Sequence, residues 1–191
     1  MSHLLTFARV ARQRLRVQAK IGGQPLSDSF GRSELKKYGR IILKKPNLVK
    51  HELGTQNGLT LLEVYDTLDR VIVLYNAETE KAVAYGKLED SPYRRGYKVM
   101  YNLYVDKDYR GQKLATVLHL GALHIYKRLM SDTTMAMGAL MAFRSLEKFG
   151  YKVRMWDIAS NKAVPFTWGS DGIPLVHGQS IEQAENYALY V

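Results

Sequence analysis

Over residues 3–20 apolar side chains recur at helical spacing. Leu4, Phe7, Ala8, Ala11 and Leu15 fall on one face, Arg9, Arg12, Arg16 and Lys20 fall opposite, and Arg14 interrupts the apolar side. An amphipathic helix is expected there, ended by Gly22, Gly23 and Pro25. Residues 24–33 read as a loop, after which Ser33 can cap a short helix through Tyr38. Asn57-Gly58 marks a turn. Residues 59–65 form an apolar run whose period decides nothing. Residues 70–75 are β-branched and read as a strand, and the polar stretch 76–80 joins them to a second strand over 81–88, making a hairpin. Residues 90–96 are a loop. Residues 97–105 alternate, so Val99, Tyr101, Leu103 and Val105 are expected on one face and Met100, Asn102 and Tyr104 on the other.

A polar turn at 106–111 leads into an expected helix over 112–130. It is apolar around much of its circumference (Leu114, Val117, Leu118, Leu120, Leu123, Ile125 and Leu129), as a helix packed on several sides would be. A short strand over 133–137, a helix over 139–149 stopped at Gly150 and a strand over 151–156 follow. Residues 158–180, rich in Gly, Pro, Ser and Asn, read as loop, and 187–191 as a closing strand. This order predicts an α+β fold with a mixed, mainly antiparallel sheet flanked by helices. With no run of about 18 apolar residues, no membrane-spanning helix is expected.

The length of 191 residues suits one domain with an appendage, and 46% hydrophobic with 24% charged residues is the composition of a folded chain. There is no cysteine, which excludes disulfides, thiolate metal sites and cysteine nucleophiles. Net charge redraws the picture. Twelve of the 28 basic residues lie in residues 1–50 with only two of the 18 acidic ones, Asp28 and Glu34, so the whole excess of +10 sits there. The chain divides into a basic extension over 1–50 and a neutral domain over 51–191. The extension reads as a surface helix docked on the body, as a segment binding nucleic acid or another polyanion through Arg9, Arg12, Arg16 and Lys20, as a helix on an anionic membrane, or as a transit segment, the last disfavoured by its few serines. His119 and His124 stand five apart, not the four that places two ligands on one helix face, so no metal site is expected. Tyr93-Arg94-Arg95 reads as a solvated turn.

Candidate chemistry concentrates in Leu103-Tyr104-Val105-Asp106-Lys107-Asp108-Tyr109-Arg110-Gly111-Gln112-Lys113-Leu114-Ala115. A strand ends, a turn carrying Arg-Gly follows, and a helix opens whose unpaired N–H groups and positive dipole end can hold a pyrophosphate. This stretch resembles the acyl-CoA-binding motif of the GNAT N-acetyltransferase superfamily. A second match is Ala142 followed by Ser145-Leu146-Glu147-Lys148-Phe149-Gly150-Tyr151, similar to that family's later helix. The likeness covers roughly residues 60–157. It implies a GNAT-like domain binding acetyl-CoA through Leu103, Tyr104, Val105, Arg110, Gly111, Gln112, Lys113, Leu114 and Ala115. The pantetheine arm would run along strand 97–105 where it splays from the next strand, with a bulge aiming an N–H at the thioester oxygen. The implied activity is an acyl-CoA-dependent N-acyltransferase moving an acetyl group to an amine.

Three positions and one strand depart from the family pattern. Its middle loop glycine is Lys113, its proton-donating Tyr is Leu146, its helix Asn is Ala139, and strand 97–105 holds no Asp, Glu or His to act as base, which leaves water, Glu89 or Asp90. No catalytic residue is assigned. A catalytically degenerate GNAT-fold protein, serving as a structural or nucleic-acid-associated component such as one in a phage particle, is therefore the alternative. The expected location is cytoplasmic, or virion-associated on that alternative.

Overall fold

Ser27 opens the first described helix of the computed structural model, which describes residues 27–66, 69–133, 135, 137–176, 179–180 and 186–191. The helix expected over 3–20 lies outside the described residues. The Ser27 hydroxyl caps α1 (Asp28–Lys44) by accepting from the Phe30 N–H at 3.3 Å, and Asp28 and Lys44 suit the two ends of its dipole. The loop expected to residue 33 is thus already helix. Serines and Gly31 suggested a loop there, yet Gly31 lies on the buried stripe with Leu35, Tyr38, Gly39 and Ile41.

Five strands form an antiparallel meander: β1 (Val49–Gln56), β2 (Leu59–Asp66), β3 (Asp69–Asn76), β4 (Lys81–Asp90) and β5 (Lys98–Val105). The Asn57-Gly58 turn and the β3–β4 hairpin stand where the pattern put them. β1 had no signal, because its exposed residues, among them Lys50, His51 and Glu52, do not alternate. The short β6 (Leu129–Met130) pairs parallel with β5. A late strand, β12 (Tyr187–Tyr190), lies between β6 and β7 (Arg154–Asp157), antiparallel to both, and β8 (Lys162–Val164) forms the far edge. The nine-stranded sheet is mixed and mostly antiparallel, and the fold is α+β. A separate three-stranded sheet, β9 (Phe166–Trp168), β10 (Pro174–Val176) and β11 (Gln179–Ser180), occupies part of the region expected to be loop.

Helices α2 (Leu114–Tyr126) and α3 (Met137–Leu146) cover the face opposite α1. On the α1 side Leu35, Tyr38 and Ile41 meet Val71, Val73, Tyr85 and Tyr104. On the other side Leu118, Leu123, Leu140, Phe143 and Leu146 meet Ile72, Leu74 and Ala84. α2 is shorter than the expected 112–130 because left-handed residues bracket it, Lys113 at φ +59 and Lys127 at φ +63. β6 falls within the end of the helix expected over 112–130, and of the strand expected over 133–137 the described residues Thr133 and Met135 are not strand and Met137 opens α3. α3 ends in a 3-10 turn closed by Gly150 at φ +84, and the strand expected from 151 begins at Arg154.

Candidate functional site

The site starts from an irregularity in β5. Tyr104 pairs with Tyr85 and Tyr101 with Lys87, so Asn102 and Leu103 together face Gly86. This is a β-bulge, with Asn102 at φ +48. It reverses the expected alternation. Leu103 and Val105 pack with Met100 on the α2 side, while Tyr104 joins the α1 side. Gly86 admits the bulge closely, since a Cβ there would lie 2.6 Å from the Met100 sulfur.

The second feature is a parting of strands. β5 pairs with β6 only at Lys98–Leu129 and Val99–Met130. Past Met130 the chain turns to β12, with Ser131 N–H donating to Leu189 O at 2.7 Å and Leu189 N–H donating to Ser131 Oγ at 2.9 Å. The edge of β5 from Met100 to Val105 therefore borders a cleft of about 1070 Å³ instead of a strand. α3 supplies Gly138, Ala139, Met141, Ala142 and Ser145 to the far wall, all small but Met141, and the start of α2 supplies its end.

Of the residues named from sequence, Leu103, Tyr104, Val105, Arg110, Gly111, Lys113, Leu114 and Ala115 line this cleft. Gln112 is exposed and is not part of the lining. The Tyr104 ring turns away, packing near Tyr85 and donating its hydroxyl to Asp28 at 3.1 Å. Arg110 bonds Asp28 at 2.5 Å through Nη2 and donates from Nε to the Val105 carbonyl at 3.2 Å. The Arg110 bond, joined by that from Tyr104, holds the Asp28 carboxyl below its usual pKa. Arg110 thus ties the first turn of α1 to the cleft loop, a contact across 82 residues that sequence spacing could not disclose.

At the head of α2 the carbonyl of Lys113 accepts from Thr116 and Val117, while the Leu114 and Ala115 N–H groups belong to the first turn, which has no intrahelical acceptors. Gly111 at φ +86 lets the loop turn towards them. Lys113 occupies a conformation that favours glycine, so Lys113→Gly is expected to stabilise the fold by about 1 kcal/mol. That is a rise of about 2–4 °C in melting temperature, and an unchanged melt would show that the lysine carries no backbone strain.

The candidate proton carriers sort cleanly. Glu89 lines the cleft, whereas Asp90 is bound to Lys98 at 2.7 Å, which lowers its pKa, and lies outside the lining. Tyr101 also lines the cleft, its hydroxyl donating to Asp69 at 3.2 Å. Leu146 does not line it, being wholly buried in the core, and the hydroxyl on the α3 wall is that of Ser145, which donates to Met141 O at 2.8 Å. His119 is buried behind this wall, edge-on to Phe143, and its ring nitrogen meets Ala115 O at 2.7 Å. Burial pulls its pKa down to about 4. His124 is exposed, and no group of three or more potential metal-binding side chains occurs among the described residues.

Two polar arrangements had no sequence signal. Glu63 is buried, accepts from Tyr126 and meets His51 Nδ1 at 2.6 Å. Arg94, read as part of a solvated turn, instead stacks on Trp156, Tyr97 and Tyr190 at 4.2, 4.6 and 4.9 Å. Neither touches the cleft lining. No model of a known protein family matches the chain, and no curated protein matches it either.

Proposed function

We propose that this chain is a GNAT-like, acyl-CoA-dependent N-acyltransferase that carries an acetyl group from acetyl-CoA to an amine. The observation that carries this reading is the β5 edge, bulged at Asn102, parting from β6 beside the head of α2. A free strand edge offers alternating N–H and C=O groups to an extended, amide-containing arm. The first turn of α2, with Arg110 and Lys113 near it, offers donors and positive charge to a pyrophosphate. N–H groups at the bulge suit the oxyanion that develops when an amine attacks a thioester. Of the three carboxylates lining the cleft, Asp28, Glu89 and Asp132, Glu89 is the one we propose to take the amine's proton, directly or through water.

A second reading is favoured by Leu146. With that side chain buried, α3 presents Ser145 in place of a phenol to the departing thiolate. A GNAT-like fold without turnover, used structurally or beside nucleic acid in a cell or a virus particle, fits that substitution. On either reading the basic residues Arg9, Arg12, Arg16 and Lys20 are proposed to contact a polyanion.

Melting with and without acetyl-CoA tests the binding that the acyltransferase reading requires. At a hundred times its dissociation constant the ligand stabilises by about 2.7 kcal/mol, or about 5–10 °C here. No shift at millimolar acetyl-CoA would reject the acyltransferase. Release of free thiol in the presence of a panel of primary amines then separates the active reading from the degenerate one.

A further inference from the structure

The outward face of α1 carries a row of basic side chains. Lys36, Arg40 and Lys44 recur every four residues, all exposed, and Lys45 continues the row past the helix end. None of these four has an ion-pair partner among the described residues. The acidic residues of α1 are engaged elsewhere, Asp28 with Arg110 and Glu34 with Lys87 at 3.0 Å. Like charges at i, i+4 destabilise a helix, and the dipole rewards only those in the last turn, so neither effect accounts for Lys36 and Arg40.

We propose that this stripe binds the phosphate backbone of nucleic acid without reading its sequence. At about 1.5 Å rise per residue, Lys36 to Lys44 spans about 12 Å. Along that length a duplex presents about seven phosphate charges. The helix is held rigidly for the purpose, its apolar side already buried against the sheet by Leu35, Tyr38 and Ile41. That burial is also what favours nucleic acid over an anionic membrane. A helix lying in a membrane needs a continuous apolar face free, and here the two exposed large apolar side chains of α1, Phe30 and Leu43, stand at its opposite ends. The surface is independent of the acyltransferase reading.

The full-length chain, its triple variant Lys36→Gln/Arg40→Gln/Lys44→Gln, and Arg9→Gln/Arg12→Gln/Arg16→Gln/Lys20→Gln would be titrated against a fluorescent 20-base-pair duplex between 50 and 200 mM salt. The triple variant should bind at least tenfold more weakly at 50 mM. The slope of log K against log salt should be shallower by about 2.7, the share of three phosphate contacts. The same difference should persist in the background of the four-residue variant, and the triple variant should melt no lower than the parent. An unchanged affinity and slope in the triple variant would overturn the proposal. So would a parent chain that ignores the duplex but binds phosphatidylserine vesicles, or one that binds neither.

Discussion

Gly31→Ala should lower the melting temperature by about 5–10 °C, although alanine is the better helix former. An ideal Cβ at residue 31 would lie 2.3 Å from Cδ2 of Tyr104, inside any allowed contact. The ring cannot step aside. It is 3% exposed, lies 6.2 Å from Tyr85 and holds Asp28 through its hydroxyl. Overpacking of this kind costs about 2–3 kcal/mol, and each kcal/mol is worth about 2–4 °C in a chain of this size. Gly39, on the same buried stripe, is the control. There the nearest atom to an ideal Cβ is Ala82 N at 3.6 Å, an ordinary contact. Gly39→Ala should therefore leave the melt unchanged or raise it by up to about 1 kcal/mol. If the two alanines behave alike, the close seat of α1 on Tyr104 is wrong. Because Tyr104 follows the bulge, a displaced α1 should also weaken whatever the cleft binds.

Acid should destabilise the fold well above the range of ordinary carboxylates, and His119 is the cause. In the unfolded chain its pKa is near 6.5, while burial brings it to about 4 in the folded one. Above pH 6.5 the ring is neutral in both states and contributes nothing to the pH dependence. As pH falls from there towards 4, the unfolded state takes up a proton that the folded state refuses, so stability declines by about 1.4 kcal/mol per pH unit. The full loss is about 3 kcal/mol by pH 4. The lowered carboxyls of Asp28, Asp90 and Asp157 add their own losses further down the scale. Melting curves between pH 7 and 4.5 on the parent and His119→Leu would isolate the effect, since the leucine variant should have a nearly flat profile in this window. Equal slopes would remove His119 from the account.

The β3–β4 hairpin and β5 were legible because β-branched and aromatic residues alternate there and polar turns bound them. The motif from Leu103 to Ala115 was legible as a strand leading through a turn into a helix, and eight of its nine named positions border one cleft. What the sequence hid follows from distance and from single residues. The bulge at Asn102 reverses two faces with no change in composition. Two left-handed lysines clip α2 at both ends, where side-chain identity argued for continuation. Of α1 only a short helix from Ser33 to Tyr38 was legible, its first turns hidden by serines and a glycine whose role depends on Tyr104, 73 positions later. Leu146 illustrates the limit of motif matching. The residue aligned with a proton donor is core, and its neighbour Ser145 faces the cleft, a difference of one step around the helix.

The place of β12 bears on how the protein is made. Five strands and α1 are complete when the ribosome has passed residue 105, and local antiparallel pairing lets them assemble at once. β6, β7 and β8 follow, but β7 has no seat on β6 until Tyr187–Tyr190 is translated and slides between them. The seam that draws Ser131 away from β5, and so opens the cleft, is closed by a segment translated after all the strands it joins. A nascent chain can be largely folded and still lack its cleft.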